Sequence, residues 1–387
     1  MSRAFSMAPF ADLADFTNGY AFSPNDMSDS GDPIVRIEQL LNPKAAIDRF
    51  RGSLDRRFRI ATGDIVMSWS GTITVVPWDR GPAWLNQHLF RVDPRRGTDP
   101  RFLRHVLEVA LPDLVAAAHG TTMKHIKRGD LLKFRVAIPE PEEQRWIAEI
   151  LDTIDETIQA AERVIAKLWL AHHGVVRAIL RDCDDGRRVS LREVAEVSGG
   201  LSISSSRPVG DPVEVPYLRV ANVQDGFIDT STMRTVSVSR ADIDRFSVKA
   251  GDVLMNEGGD FDKLGRGAVW DGSISPCLHQ NHVFRVRCKP GEMVPEFLAL
   301  FCQSAEGKAY FVKSSKQTTN LASINKSQLG SLPTLAPSIE AQLKVVETQR
   351  ASVSKVEAER LSLSKLSRTR AGLAADLLSG RVRTVGS

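Results

Sequence analysis

The sequence is poor in cysteine and has neither a long apolar run nor a large charge surplus. Four cysteines among 387 residues, Cys183, Cys277, Cys288 and Cys302, contain no C-x-x-C pair. Neither a zinc ribbon nor a disulfide framework is indicated, and reduced thiols in a cytoplasmic protein are expected. No apolar stretch is long enough to cross a bilayer, and the opening MSRAFSMAPFADLADF lacks the basic-then-apolar pattern of a secretory leader. The net charge of +4 is too small to point to a partner. The glycine-rich stretch 258–267 matches neither G-x-G-x-x-G nor G-x-x-x-x-G-K-[ST], so it is expected to be a turn between strands. His279 and His282 are spaced like a metal pair, but no neighbouring cysteine or acid completes a ligand set, and only His282 is echoed elsewhere, by His88. Structural histidines are therefore expected, with no metal and no cofactor.

What the chain does contain is two long helical patterns. From Pro139 to Leu180, apolar residues recur at spacings of four and three: Ile147, Leu151, Ile154, Ile158, Ala161, Ile165, Leu168, His172, Val175 and Ile179. This narrow seam predicts one helix of about 58 Å that needs a partner helix. Pro139 and Pro141 mark its start, where Glu142 and Glu143 suit the positive end of the helix dipole. A second pattern runs from Ala341 to Leu378 after Pro337, with Glu340 and Gln342 opposite Glu142 and Gln144. Its seam, Val346, Val353, Val356, Leu363, Leu366, Leu373 and Leu377, is interrupted by Arg360 and Arg370, which predicts a register fault near the middle. The plainer reading of either helix is a solvated surface helix. The matched starts favour mutual pairing.

The rest of the chain repeats itself. Leu13–Gly19 (LADFTNG) is echoed by residues 194–200 (VAEVSGG), an amphipathic turn ending in residues that tolerate positive φ. Pro33–Ile37 and Pro216–Val220 match as short strands, and Gly63-Asp64 and Gly251-Asp252 match as turns feeding the buried strands Ile65-Val66-Met67 and Val253-Leu254-Met255. Residues 86–92 (NQHLFRV) meet 280–286 (QNHVFRV). Phe102-Leu103 and Phe297-Leu298 each open a short helix, and Thr121-Thr122 and Ile126 meet Thr319-Asn320 and Ile324. The offset grows steadily from 181 to 198, as insertions in surface loops would make it. The predicted fold is α/β (α+β): two similar modules, 1–138 and 185–336, and two long helices, 139–184 and 337–387, forming an antiparallel coiled coil with pseudo-two-fold symmetry.

Basic residues cluster at equivalent places in both modules. Lys124, Lys127, Arg128, Lys133 and Arg135 follow Gly120-Thr121-Thr122, and Lys313, Lys316 and Lys326 surround Gln317-Thr318-Thr319-Asn320. Lysines beside hydroxyl and amide side chains suit a loop that grips phosphates and reaches base edges. A solvated loop is the ordinary reading of such a run, and recurrence is what favours nucleic acid. The candidate DNA-binding set is Thr121, Thr122, Lys124, Lys127, Arg128, Lys313, Lys316, Gln317, Thr318, Thr319 and Asn320. Arg91, Arg95, Arg96, Arg101 and Arg104 have no full counterpart and weigh less. Trp146, Ile150, Val164, Trp169 and Val176 lie off the helical seam and form a candidate partner-binding surface, which predicts poor solubility for the isolated chain.

Taken in order, Gly63-Asp64-Ile65-Val66 with Gly251-Asp252-Val253-Leu254, the strands at Asn86-Gln87 and Gln280-Asn281, and PEPEEQ at 139–144 resemble the specificity subunits of type I restriction-modification systems. The resemblance covers nearly the whole chain, with its weight in order and duplication rather than in any single motif. One departure is Ile339-Glu340-Ala341-Gln342, where adjacent Glu-Gln is the usual pattern. The resemblance implies a non-catalytic, double-stranded-DNA-reading subunit whose modules each read one half of a split, asymmetric target, with the paired helices holding them apart. Two methyltransferase subunits and two restriction/translocase subunits are the implied partners. No Asn-Pro-Pro-aromatic motif of an adenine methyltransferase is present. The competing readings are a coiled-coil adapter without DNA contact and a cryptic nuclease or methyltransferase. The sequences between the matches differ, Ser68–Thr72 (SWSGT) standing where Asn256–Asp260 (NEGGD) stands, so the modules are expected to read different bases.

Overall fold

The computed structural model describes residues 5–117, 125–182, 187–203, 212–259, 264–317 and 322–384. The chain divides into two compact units, Met1–Val164 with Glu359–Ser387, and Ile165–Ala358. Each unit therefore owns one module plus part of each long helix, and the division falls inside the helices rather than at their ends.

In the first unit, Ser6–Pro9 pairs antiparallel with Arg135–Ile138, tying the module's beginning to its end. A four-stranded antiparallel sheet follows the order Ala14–Asn18, Leu89–Pro94, Ile65–Ser68, Val75–Pro77. A second sheet follows the order Arg49–Phe50, Asp32–Val35, Ala83–Leu85, Arg59–Ile60, with Ile34 parallel to Trp84. Ile65–Ser68 is buried at all four positions, as a continuous apolar run at a sheet centre must be, and Gly63 before it holds φ +100°. Two short-range expectations need correction. The segment ending at Gly19 is a strand rather than a turn. Glycine is required at 19 by close backbone approach rather than by φ, since a Cβ there would lie 2.2 Å from the carbonyl oxygens of Leu85 and Asn86. The strand begun at Asp32 ends at Val35, and Ile37 starts a helix.

The second unit repeats this plan. Arg187–Ser190 pairs with Pro333–Ala336, and the main sheet runs Ala195–Ser198, Val283–Cys288, Val253–Asn256, Gly267–Val269. The smaller sheet runs Arg234–Val238, Val213–Leu218, Leu278–His279, with Tyr217 parallel to Leu278. Gly251 repeats the turn of Gly63 at φ +88°, and Gly200 repeats the close approach of Gly19, with His279 O 2.1 Å from a built Cβ. The helices that open at Pro100 and Pro295 diverge. The first is not short: Pro100–Ala117 runs 18 residues through Pro112. The second stops at Gln303, and the Ser304 hydroxyl accepts from Gly307 N at 3.2 Å to start a new helix, Ala305–Ser314.

The long helices run Pro141–Asp182 and Ile339–Ser379. In the first unit, Ile147, Leu151, Leu377 and Leu378 join the sheet residues in one core, so the helices there pack on the module as well as on each other. Asp155 pairs with Arg370 and Glu143 with Arg383, so an advance of 12 residues on one strand of chain meets a retreat of 13 on the other: the helices are antiparallel. In the second unit Ile165 and Val356 are buried, and His172 Nδ1 lies 3.1 Å from Ser352 Oγ. The C-terminal helix is unbroken across its expected register fault. Val175, placed on the seam by its spacing, is 41% exposed, and Ile179's side chain lies outside the described residues. No helix among the described residues is long and apolar enough to cross a membrane.

Each helix start is fastened by one glutamine. Gln144 Oε1 accepts from Asp99 N at 2.9 Å, while its Nε2 donates to Pro139 O at 3.0 Å and Gly97 O at 3.2 Å. Gln342 does the same with Val294 N at 2.8 Å, Pro337 O at 2.9 Å and Glu292 O at 3.1 Å. The departure at Ala341 leaves this clamp intact. Glu143, the residue Ala341 replaces, makes a separate ion pair with Arg383.

Candidate nucleic-acid interface

In each module the end of the central sheet strand meets the tight turn before the next strand and a segment near the basic stretch of the sequence. In the first module, Trp69 N donates to His88 O at 3.3 Å and Ile126 N donates to Trp69 O at 2.9 Å. In the second, Glu257 N donates to His282 O at 3.0 Å and Ile324 N donates to Glu257 O at 2.9 Å. The two backbones are superposable in their hydrogen bonding while the side chains differ. Trp69 packs beside His88, Phe90 and His125 at ring-centroid distances of 5.5, 6.0 and 5.9 Å. Glu257 instead accepts from His282 Nδ1 at 2.6 Å. The imidazole is anchored at Nδ1 in both, since Ser70 Oγ lies 3.1 Å from His88 Nδ1. On the other side of each ring lies an amide, Gln87 Nε2 and Asn281 Nδ2 each 3.5 Å from Nε2 of the following histidine.

Described residues next in sequence to the basic stretches pair at this corner. His125 bridges to Ser70, and in the second module Gly258–Gly259 pairs with Ala322–Ser323, which pairs with Lys316–Gln317. Among the expected DNA-binding residues, Thr121, Thr122, Lys124, Thr318, Thr319 and Asn320 lie outside the described residues, as does the side chain of Gln317. Lys127, Lys313 and Lys316 are exposed, Lys127 as the cap of the helix Arg128–Lys133. Arg128 is exposed too, and one of its guanidinium nitrogens donates to Phe16 O at 3.3 Å. Trp69 and Glu257 lie in the unmatched stretches 68–72 and 256–260, from which different base reading was expected, whereas Gln87, His88, Asn281 and His282 were absent from the expected DNA-binding set. Their signal was in the repeat itself, as matched strands beside unmatched neighbours.

The other clusters have structural explanations. Arg91 pairs with Asp93, Arg95 with Asp15, and Arg101 with Asp99. Arg104 holds Asp152 at 2.6 Å and Glu108 at 2.7 Å, and Arg370 holds Glu108 at 2.7 Å and Asp155 at 2.9 Å. Burial pushes the Glu108 carboxyl up, but His105, Arg104 and Arg370 outweigh it and hold it down at about 2. His105, Glu108 and Asp155 offer ligand atoms within 4.8 Å of one another, yet two guanidinium groups already neutralise them, so the cluster is an ion-pair network. His279 is structural as expected: it is fully buried, and burial lowers it to about 4 while Nδ1 donates to Val283 O. His282 differs, its side chain being 58% exposed. Cys277, Cys288 and Cys302 are free thiols pushed up to about 12 by burial, and Cys183 lies outside the described residues.

On the helices, Trp146 and Val164 are 48% and 44% exposed. Ile150 is partly buried against the first core, and Trp169 is half-buried with its ring edge-on to His172. The side chain of Val176 lies outside the described residues.

A duplicated α/β module joined to paired antiparallel helices, with one polar corner per module, gives the chain two equivalent candidate sites. Residues 5–169 match the type I restriction modification DNA specificity domain. The chain is 24% identical over 367 residues to the EcoBI specificity subunit of Escherichia coli, covering 86% of this chain and 76% of that one. It is 22% identical over 250 residues to the EcoKI specificity subunit of Escherichia coli K12, covering 59% and 52%. Among solved structures, a chain from work on assembly and conformational transition of the type I R-M system aligns over 99% of both chains, with TM-score 0.64 and 16% identity. The S subunit from M. genitalium aligns over 98% and 97%, with TM-score 0.54 and 15% identity. At those identities the solved structures speak for the fold alone. The domain match and the sequence relatives make the chain similar to the specificity subunits of type I restriction-modification systems, residues 5–169 matching that family's DNA specificity domain.

Proposed function

We propose that this chain is the DNA-reading, non-catalytic subunit of a type I restriction-modification complex, in which each module reads one half of a bipartite, asymmetric target. The observation that carries this reading is the duplicated corner: one backbone arrangement in two modules, presenting Trp69 and His88 in one and Glu257 and His282 in the other. Equivalent positions with different donor and acceptor groups suit two different half-sites. Exposed Lys127, Lys313, Lys316 and Lys326, close in sequence to residues 118–124 and 318–321, supply phosphate contacts. The paired helices set the half-site spacing. Trp146 and Val164, with the exposed edges of Ile150 and Trp169, receive methyltransferase subunits, two per complex, to which two restriction subunits are added. Val176 belongs to the same expected surface.

Binding to duplex DNA measured against salt tests the reading. Each phosphate neutralised contributes about −0.9 to the slope of log K against log salt. Six or more contacts shared between two modules give a slope of about −5 or steeper. A slope near zero would favour the adapter reading.

A further inference from the structure

Resting on that reading, we infer that Glu257, with His282 and Asn281, is the base-reading point of the second module, and that it reads the exocyclic amino group of an adenine or a cytosine in the major groove. The side chains are placed for it. Glu257 spends Oε2 on His282 Nδ1 at 2.6 Å, which fixes both the ring and the carboxylate. The carboxylate's other oxygen has no hydrogen-bond partner among the described residues, and the side chain is 32% exposed. The Asn281 amide lies 3.5 Å from Nε2 on the other side of the ring. The corner thus offers one carboxylate oxygen and one amide within a few ångströms, on a backbone pinned by three strands. Major-groove amino groups are the donors that carboxylates and amides recognise: adenine N6 by Asn or Gln, cytosine N4 by Asp or Glu.

The first module lacks this chemistry at the same place. Position 69 carries an indole whose Nε1 is used on Gln87 O at 3.1 Å, and His88 is anchored by the Ser70 hydroxyl rather than by a carboxylate. Gly258 stands where Ser70 stands, so the second module has no hydroxyl to hold its histidine and uses Glu257 instead. The same position therefore acts as an aromatic surface in one module and as an acceptor in the other.

The test is a map of modified sites on randomised DNA treated with the complex of this chain and its methyltransferase subunits, for wild type, Glu257→Gln and His282→Gln. The wild-type map judges the parent reading alone: a target without two blocks sinks that reading whatever the variants do. Glu257→Gln keeps the shape but adds an amide donor. One position in one block is expected to relax from an amino-bearing base to include the carbonyl-bearing thymine or guanine, discrimination there falling about 5- to 100-fold. The adenine and cytosine versions of the inference are told apart by which base the wild type demands there. His282→Gln should weaken discrimination at the same position. The other block, unchanged, shows that the variant is folded. An unchanged map for Glu257→Gln overturns the inference. So does equal loss of binding to every base at every position by a variant that melts like wild type, because that marks a phosphate or scaffold contact.

Discussion

Replacing Gln342 by leucine is the sharpest test of how the second module is fixed to its helix. The side chain is fully buried, and its amide satisfies one backbone N–H and two backbone carbonyls, at Val294, Glu292 and Pro337. Leucine fills nearly the same volume and removes all three hydrogen bonds. Each buried backbone group left without a partner costs about 1–3 kcal/mol. Glu292 is exposed and Val294 and Pro337 are only partly buried, so the low end applies and the expected loss is about 3 kcal/mol. Glutamate separates packing from polarity. Its carboxylate still accepts from Val294 N, but the second oxygen then faces the carbonyls of Glu292 and Pro337, so Gln342→Glu should be no better than leucine at neutral pH and should recover once the acid is protonated and can donate. Amide hydrogen exchange at Val294 and along the first turns after Ile339 is the local readout, with opening favoured by about 100-fold in the leucine variant. Gln144→Leu should act likewise at Asp99 and leave Val294 unaffected. If Gln342→Leu changes exchange at Val294 by less than about threefold, the glutamine is not what fastens the helix start.

Three further outcomes follow from the same geometry. Glu108, held at about 2 against an ordinary value of 4.5, contributes stability that is complete above pH 4.5 and disappears as pH falls toward 2, about 3 kcal/mol in all; Glu108→Gln should lose stability at neutral pH and flatten the pH dependence of urea unfolding between those limits, and an unaltered pH profile would refute the assignment. Gly200→Ala places a Cβ 2.1 Å from His279 O and should lower the melting transition of the second unit by several degrees, whereas Gly63→Ala, open around its Cβ but at φ +100°, should cost about 1 kcal/mol from backbone strain alone. Adding seven residues after Ala161 and seven after Glu359 preserves the seam and lengthens the helix pair by about 10.5 Å, so the preferred spacer between half-sites should grow by about three base pairs; modification at the original spacing would show that the helices do not set it.

The long helices were legible because their signals are local: prolines at the start, acids in the first turn, and an apolar period that survives over 40 residues. The observed starts at Pro141 and Ile339 follow from Pro139, Pro141 and Pro337. The duplication was legible because Gly-Asp turns and Phe-Leu pairs recur in order. What the sequence hid was long-range. Nothing near Gly19 announces the carbonyls of Leu85 and Asn86 against its backbone, and Arg104 reads as a surface cation until Asp152 and Glu108 are brought to it. Val175 keeps the seam spacing yet faces outward, since a period identifies a face but not how far along the partner covers it. The assembly of the polar corner was hidden for the same reason. Trp69, His88 and His125 come from three separate stretches, and only sheet pairing makes them neighbours.

The most direct test of the central claim is the sequence of the target itself. DNA modified by the complex of this chain with its methyltransferase subunits, mapped at single-base resolution, should show two short blocks of unlike sequence separated by an unread spacer of fixed length, with centres about 10 base pairs apart. A continuous or perfectly palindromic target, or modification without sequence preference, would contradict a chain in which two modules of one fold read different bases.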